Sequence, residues 1–303
     1  ETSLKSILNA QQLENLTVNK EIDFSLSFSQ AARFRVNAYT QKGTWGVAFR
    51  KIPLTVPKID ELGLPKIAHS FVNMRQGLIL IVGPTGHGKS TTLASILNEI
   101  NLTKGAHIVT IEDPIEFVFS PVKSIISQRE MHEDTHSWGV ALRSVLREDP
   151  NVVLIGEMRD YETIAAALTI AETGHLVFAT LHTNSTAETI DRIVDVFPDD
   201  QQDQIKMQLS NSLVAVLAQR LVPAIIGGRL IATECMVATQ AIKTAIREGK
   251  SHQIRSVIQT SGDSGMYTLD ATLASMVKDG KITMETALSY CQVPDELARL
   301  VKN

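Results

Sequence analysis

Residues 83–91 read Gly-Pro-Thr-Gly-His-Gly-Lys-Ser-Thr, and this stretch limits the fold more than any other part of the chain. It follows the apolar run Leu78 to Val82 and precedes a helix-like segment, so G-x-x-x-x-G-K-[ST] stands between a strand and a helix N-terminus. Glycines let the backbone curl so that its N–H groups converge on phosphate oxygens, and the helix dipole adds favourable potential. Gly83, Thr85, Gly86, His87, Gly88, Lys89, Ser90 and Thr91 are therefore candidate nucleotide-binding residues. Lys89 is placed to reach the β- and γ-phosphates, and Ser90 to hold Mg²⁺. An ordinary turn can match such a pattern by chance, but fixed positions with the right flanks favour a nucleoside-triphosphate site.

The pattern around this loop sets the fold class. From Leu78 onward strand-like and helix-like stretches alternate, which predicts an α/β fold on a mainly parallel sheet with right-handed crossovers. Strands are predicted at 78–82, 107–112, 152–156 and 176–181, apolar runs that suit strands covered on both faces. Ser185-Thr-Ala-Glu188 predicts a capping box on a helix whose apolar stripe is Ile190, Ile193, Val194 and Phe197. Gly227-Gly228 predicts a two-residue hairpin between 224–226 and 229–233. Beyond about residue 240 the chain reads as short amphipathic helices with stops near Gly249, Gly262 and Gly280.

Residues 1–52 follow another pattern. Alternation at 23–28 and 33–37, and a run at 44–52 behind a turn at Gln41-Lys42-Gly43, predict three strands, with one helix near 6–16. Such a unit has a thin core and is marginal alone. The chain is therefore expected to begin inside a domain or to lean on a neighbour. Pro53, Pro57 and Pro65 then punctuate a linker. The predicted organisation is a partial N-terminal domain over 1–54, a linker over 55–65 and a nucleotide-binding domain over 66–303.

Hydrolysis needs metal control and a polarised water. The strand at 107–112 ends in Glu112-Asp-Pro-Ile-Glu116, and Pro114 stops it there. Strand C-termini face the ligand cleft in open α/β sheets, so Glu112 is a candidate general base, with a solvated acidic turn as the alternative. Val152-Val-Leu-Ile-Gly-Glu157 has the Walker B arrangement, an apolar strand followed by an acidic residue, and Glu157 is expected to hold Mg²⁺ or its waters. Which glutamate takes the proton stays open at this level. Asp160 fits a cap for a helix starting near Tyr161. His175 and His182 flank the strand at 176–181. His182 is a candidate γ-phosphate sensor; His175, at the opposite end, is a candidate for the nucleotide site or else a packing or interface residue. Zinc is not expected, because no third ligand has helpful spacing. Cys235 and Cys291 are the only cysteines, so a disulfide framework is not expected either.

Together these motifs resemble the ATPases of type II/IV secretion systems, and within them the type IV pilus retraction class. The likeness covers nearly the whole chain. It rests on the P-loop at 83–91, the acidic box Thr110-Ile-Glu-Asp-Pro-Ile-Glu116, the Walker B Gly156-Glu157-Met-Arg-Asp160 and the histidine box 173–184. Arg33-Phe-Arg-Val-Asn37 resembles the arginine-bearing strand of the family's PAS-like N-terminal domain, which is longer than what precedes Pro53 here. Ala245-Ile-Arg-Glu-Gly249 resembles the AIRxG motif of the retraction class, whereas assembly and secretion members typically carry a tetracysteine zinc module.

The resemblance implies a RecA-like P-loop ATPase core with a helical C-terminal tail, ATP and Mg²⁺ as cofactors, and a homo-hexameric ring. It implies that Arg33, Arg35 and Arg50 neutralise phosphate charge across a subunit boundary; alternation alone fits charge on a solvent face equally well. It further implies mechanical work on an inner-membrane pilus platform protein, from a cytoplasmic position peripheral to the inner membrane. No transmembrane segment is expected, since the apolar run before the P-loop is five residues against the roughly 20 that a span needs. A secretion or pilus assembly ATPase and a RecA-like nucleic-acid translocase are the alternatives. A net charge of −4 runs against the basic face of a nucleic-acid motor, and no nucleic-acid partner is expected.

Overall fold

Two β-sheets organise the chain in a computed structural model that describes residues 2–28, 32–53 and 55–302. Glu1 and Leu54, the expected ends of the N-terminal domain, lie outside the described residues, as does Asn303. The first sheet holds β1 (Glu21–Phe28), β2 (Ala32–Gln41) and β3 (Thr44–Ile52), antiparallel and in that order. Gln41 pairs with Thr44, leaving Lys42 and Gly43 as a two-residue turn with both φ angles positive (47° and 78°). That is the hairpin geometry glycine permits. The expected helix near 6–16 is instead Ala10–Asn19, because Asn9 caps it: Asn9 Oδ1 accepts from Gln12 N, and Gln12 Oε1 accepts from Asn9 N. Leu4, Leu16, Phe24, Val36 and Ala38 form a small core beneath this sheet. Arg33 and Arg35 leave the opposite face of β2 from Val36 and Ala38, as strand alternation requires.

The second sheet has seven strands: β4 (Gly77–Val82), β5 (His107–Glu112), β6 (Ile125–Glu130), β7 (Val152–Ile155), β8 (Leu176–Leu181), β9 (Leu213–Pro223) and β10 (Arg229–Val237). Their order is β10-β9-β4-β8-β7-β5-β6, and every pairing is parallel except β9 with β10. The four predicted strands are present; β6 and β9 were not predicted. Every residue of β4 is buried, with Leu78, Leu80 and Val82 in one core layer and Ile79 and Ile81 in the other. Helices thus cover both faces, which is why these strands read as unbroken apolar runs.

Three further differences from the sequence reading have local causes. Pairing of β9 with β10 stops at Pro223 and Arg229, so the connection spans 224–228 rather than two residues. Ile225 N donates to Lys281 O, which draws that backbone out of the ladder. At the helix Thr186–Asp195, Ser185 caps Glu188 N, but the Glu188 carboxylate accepts from Asn184 N, one residue before the cap. In the expected linker, Ile59 and Leu64 are buried against the core, and Ser95 Oγ donates to Pro57 O.

A buried polar chain locks the C-terminal helices onto this frame. Both Thr186 N and Thr186 Oγ1 donate to Glu234 Oε1 at 2.7 Å, and Gln292 Nε2 donates to the other oxygen. Asp270, fully buried, accepts from Gln292 N, Val293 N and Arg255 Nη2. Asp270→Ala leaves Arg255 and two backbone donors uncompensated. Chemical denaturation should show a loss of about 3–5 kcal/mol; a loss below about 1 kcal/mol would contradict this account.

Candidate active site

Parallel pairing brings the C-terminal ends of β4, β5, β7 and β8 to one edge of the sheet, and a cavity of about 470 Å³ opens there. Thr85, Gly86, Gly88, Lys89, Ser90 and Thr91 line it from the P-loop, Glu112 from β5, Glu157 after β7 and His182 after β8. The loop is fastened from below by β9. Gly83 has φ of 146°, and a Cβ there would lie 2.4 Å from the Gln219 carbonyl oxygen, so only glycine lets the loop pass. Gln219 Nε2 donates to His87 O, and Leu221 N donates to His87 Nδ1. His87 therefore faces β9 and not the cavity. Burial, with the charges of Arg220, Lys89 and Arg229, pushes its pKa down, consistent with an imidazole that accepts a backbone hydrogen bond.

Lys89 is buried at the start of the helix Lys89–Thr103, with Gly88 in the left-handed region before it. Its ammonium donates to Gly83 O (2.8 Å) and Pro84 O (3.1 Å) and lies 3.3 Å from His182 Nδ1. An ammonium only donates, so Nδ1 is the accepting nitrogen and Nε2 carries the hydrogen directed at Glu157 Oε1, 3.2 Å away. His182 thus links the P-loop lysine to the Walker B carboxylate. Burial lowers the Lys89 pKa, against the raising charges of Glu157 and Glu116.

Two glutamates sit in opposite electrostatic surroundings. Burial pushes the Glu112 carboxyl up to about 7, only partly offset by donation from Thr110 Oγ1, Glu116 N and Gln128 Nε2. Burial also pulls Glu157 upward, but hydrogen bonds from Arg159 (2.7 Å) and His182, with the charge of Arg159, outweigh it and hold this carboxyl below its ordinary range. Close backbone packing sets their separation. A Cβ on Gly156 would meet Ile111 O at 3.2 Å and Glu112 Cα at 3.3 Å, and Thr180 Oγ1 donates to Gly156 O. Ser90 and Glu157 offer oxygen donors to the same cavity, which suits a hard cation such as Mg²⁺.

The three arginines separate. Arg35 and Arg50 pair across β2 and β3, and both line the cavity of their own chain. Arg33 does not line it; its guanidinium is bound to Glu130 at 2.6 Å. His175 is also absent from the lining. It lies at the N-terminal end of β8, a strand length from His182, with Nδ1 close to Ile170 O and Thr173 Oγ1.

This arrangement has known counterparts. Residues 18–227 match the family described as Type II/IV secretion system protein. The chain belongs to that family. It is 50% identical over 289 residues to the type IV pilus retractation ATPase PilT of Pseudomonas aeruginosa, covering 95% of this chain and 84% of that one. It is 49% identical over 294 residues to a twitching motility protein of Neisseria gonorrhoeae, covering 97% and 79%. Its fold matches a crystal structure of the pilus retraction motor PilT with bound ADP at a TM-score of 0.92, with 46% identity over 98% of this chain and 84% of that one.

In this secretion-system family member, sequence reasoning missed cavity residues that only the tertiary fold brings in. Arg159 stood in the quoted Walker B segment, two residues from Glu157, yet nothing in the spacing said that it would pair with that carboxylate. Arg229 and Trp138 also line the cavity, from the start of β10 and from the helix Trp138–Val145, and no motif marks them.

The Glu112 environment fixes the sign of two pH effects. If ionised Glu112 takes a proton, kcat/KM for ATP should rise as pH passes through about 7, and Glu112→Gln should abolish that limb. A raised carboxyl pKa favours the protonated folded state. Its contribution to stability is complete below the ordinary value of 4.5 and is lost as pH climbs through about 7. The melting temperature of Glu112→Gln relative to the parent should therefore increase between about pH 5 and 8. A flat difference would show that Glu112 is ionised throughout.

Proposed function

We propose that this chain is an ATP-hydrolysing motor of the type IV pilus retraction kind. It works as a homo-hexamer at the cytoplasmic face of the inner membrane, on a pilus platform protein. The observation that carries the reading is the single cavity in which Lys89, Glu112, Glu157, His182, Arg35 and Arg50 converge. Family membership and near-full-length identity to a retractation ATPase support the same conclusion. Among the described residues no helix is long and apolar enough to cross a membrane. In this reading residues 1–54 form the N-terminal domain, 55–65 the connection and 66–303 the ATPase domain. Because Val56, Ile59 and Leu64 pack against the ATPase core, most of the connection moves with that domain, and the hinge lies before Val56.

Each residue has a role in the hydrolytic step. P-loop N–H groups and Lys89 bind the phosphates. Ser90 and Glu157 would hold Mg²⁺, which when bound neutralises phosphate charge and orients the reacting oxygens. Glu112, with a pKa near 7, takes a proton from the attacking water, since a base is most effective when its pKa lies near the working pH. His182 reports the state of the γ-phosphate to Glu157 through its two nitrogens. Arg35 and Arg50 stabilise charge on the transferring group.

Glu157→Gln tests the assignment. Steady-state ATP turnover should drop by about 10²–10³, the cost of losing one electrostatic stabiliser, while nucleotide affinity changes only severalfold. Persistence of more than half the parent rate would overturn the site. Sedimentation with and without ATP should show the hexamer, and a particle that stays monomeric while hydrolysing at full rate would overturn the ring.

A further inference from the structure

Glu130 closes β6, the edge strand, and pairs in register with Glu112 of β5. It is 4% exposed. Oε1 accepts from Ser25 Oγ of β1 at 2.6 Å; Oε2 accepts from Arg33 Nη2 of β2 at 2.6 Å and from Ile115 N at 3.2 Å. One buried carboxylate therefore joins β1 and β2 of the N-terminal sheet to the loop that follows Glu112. A peripheral bond, Gln12 Nε2 to Glu133 Oε1, lies beside it on the surface.

We propose that Glu130 is a positioning residue for hydrolysis: by gripping Arg33 it sets the face of β2 so that Arg35, two residues on, and its cross-strand partner Arg50 point into the nucleotide cavity. The inference rests on the motor reading above for what the arginines do there, but the anchoring itself does not depend on it. Geometry rather than stability accounts for the pair. A buried ion pair repays little of its desolvation, and Arg33 Nε beside it is buried with no acceptor among the described residues. Such a contact is poor as a source of stability and good as a fixed register between two bodies. The single carboxylate also holds Ile115 N, so the arginine strand and the Glu112 loop share one reference point.

The test uses the full chain with Glu130→Gln and, as a second variant that leaves Ser25 and Ile115 bonded, Arg33→Met. Fluorescent ADP should bind each within about threefold of the parent, because the P-loop is untouched. ATP turnover should fall at least tenfold, with the 10³–10⁵ that a charge-stabilising arginine can supply as the upper bound. Adding Glu130→Gln to Arg35→Ala should cost no further rate, since Glu130 acts through that arginine. Amide exchange in residues 32–36 should quicken in Glu130→Gln. Turnover within twofold of the parent, losses that multiply with Arg35→Ala, or unchanged exchange at 32–36 would overturn the proposal. Should Arg35→Ala itself leave the rate intact, the motor reading fails at the arginines, while the exchange result still decides whether Glu130 anchors β2.

Discussion

Parallel pairing of β4, β8, β7 and β5 is the constraint from which the site follows. In a parallel ladder the C-terminal ends emerge together, so a lysine after β4, a histidine after β8 and glutamates at the ends of β7 and β5 meet without any long-range search. The ladder alone does not set the final distances. Glycines do so, Gly83 by sliding under the Gln219 carbonyl and Gly156 by letting β7 approach Glu112. A methyl group at either place would push apart what the sheet has brought together.

Within that frame the two glutamates acquire different chemistry from their neighbours. Glu112 is enclosed and bonded to neutral donors, so its charge is poorly supported and its pKa climbs to about 7. Glu157 has Arg159 and His182 beside it, and their hydrogen bonds hold its carboxyl below the ordinary range despite burial. Environments that push two acids apart are the physical basis for assigning one as proton acceptor and the other as a fixed charge. His182 couples the second of these to Lys89, so a group that draws the lysine also disturbs the carboxylate. No motif in the sequence states this coupling; it follows from one imidazole having a donor-only partner on one side and an acceptor on the other.

What the sequence discloses depends on whether a feature is local. The P-loop strand and its parallel neighbours are legible because burial on both faces leaves unbroken apolar runs. β6 is not, since Ile125-Ile-Ser-Gln-Arg-Glu lies at an edge and is half polar. β9 is hidden for another reason: Leu213 follows the helix Asp199–Ser212 with no breaking residue between them. Glu112, Glu157 and His182 were readable because each ends a recognisable strand. His175 belongs to the same motif but starts its strand, and a strand's direction separates its ends by its whole length. The division of labour among Arg33, Arg35 and Arg50 needed the docking of one sheet on another, which no local pattern encodes.

Arg35 and Arg50 stand directly opposite each other on neighbouring strands. Like charges in that position repel, and an anion bound between them and the core relieves the repulsion. On the proposed function a triphosphate supplies that anion, and hydrolysis followed by phosphate release reduces it. The sheet that carries the arginines has its own small core, and among the described residues Glu130 and Gln12 supply polar ties to the ATPase core. A change of charge in the cavity therefore acts on a sheet tied to the core through Glu130 and Gln12. Two packed bodies do not deform smoothly, so the response available to them is rotation about the residues that join them. Conversion of phosphate chemistry into displacement then requires no special element beyond a charged boundary, a rigid sheet and a short connection.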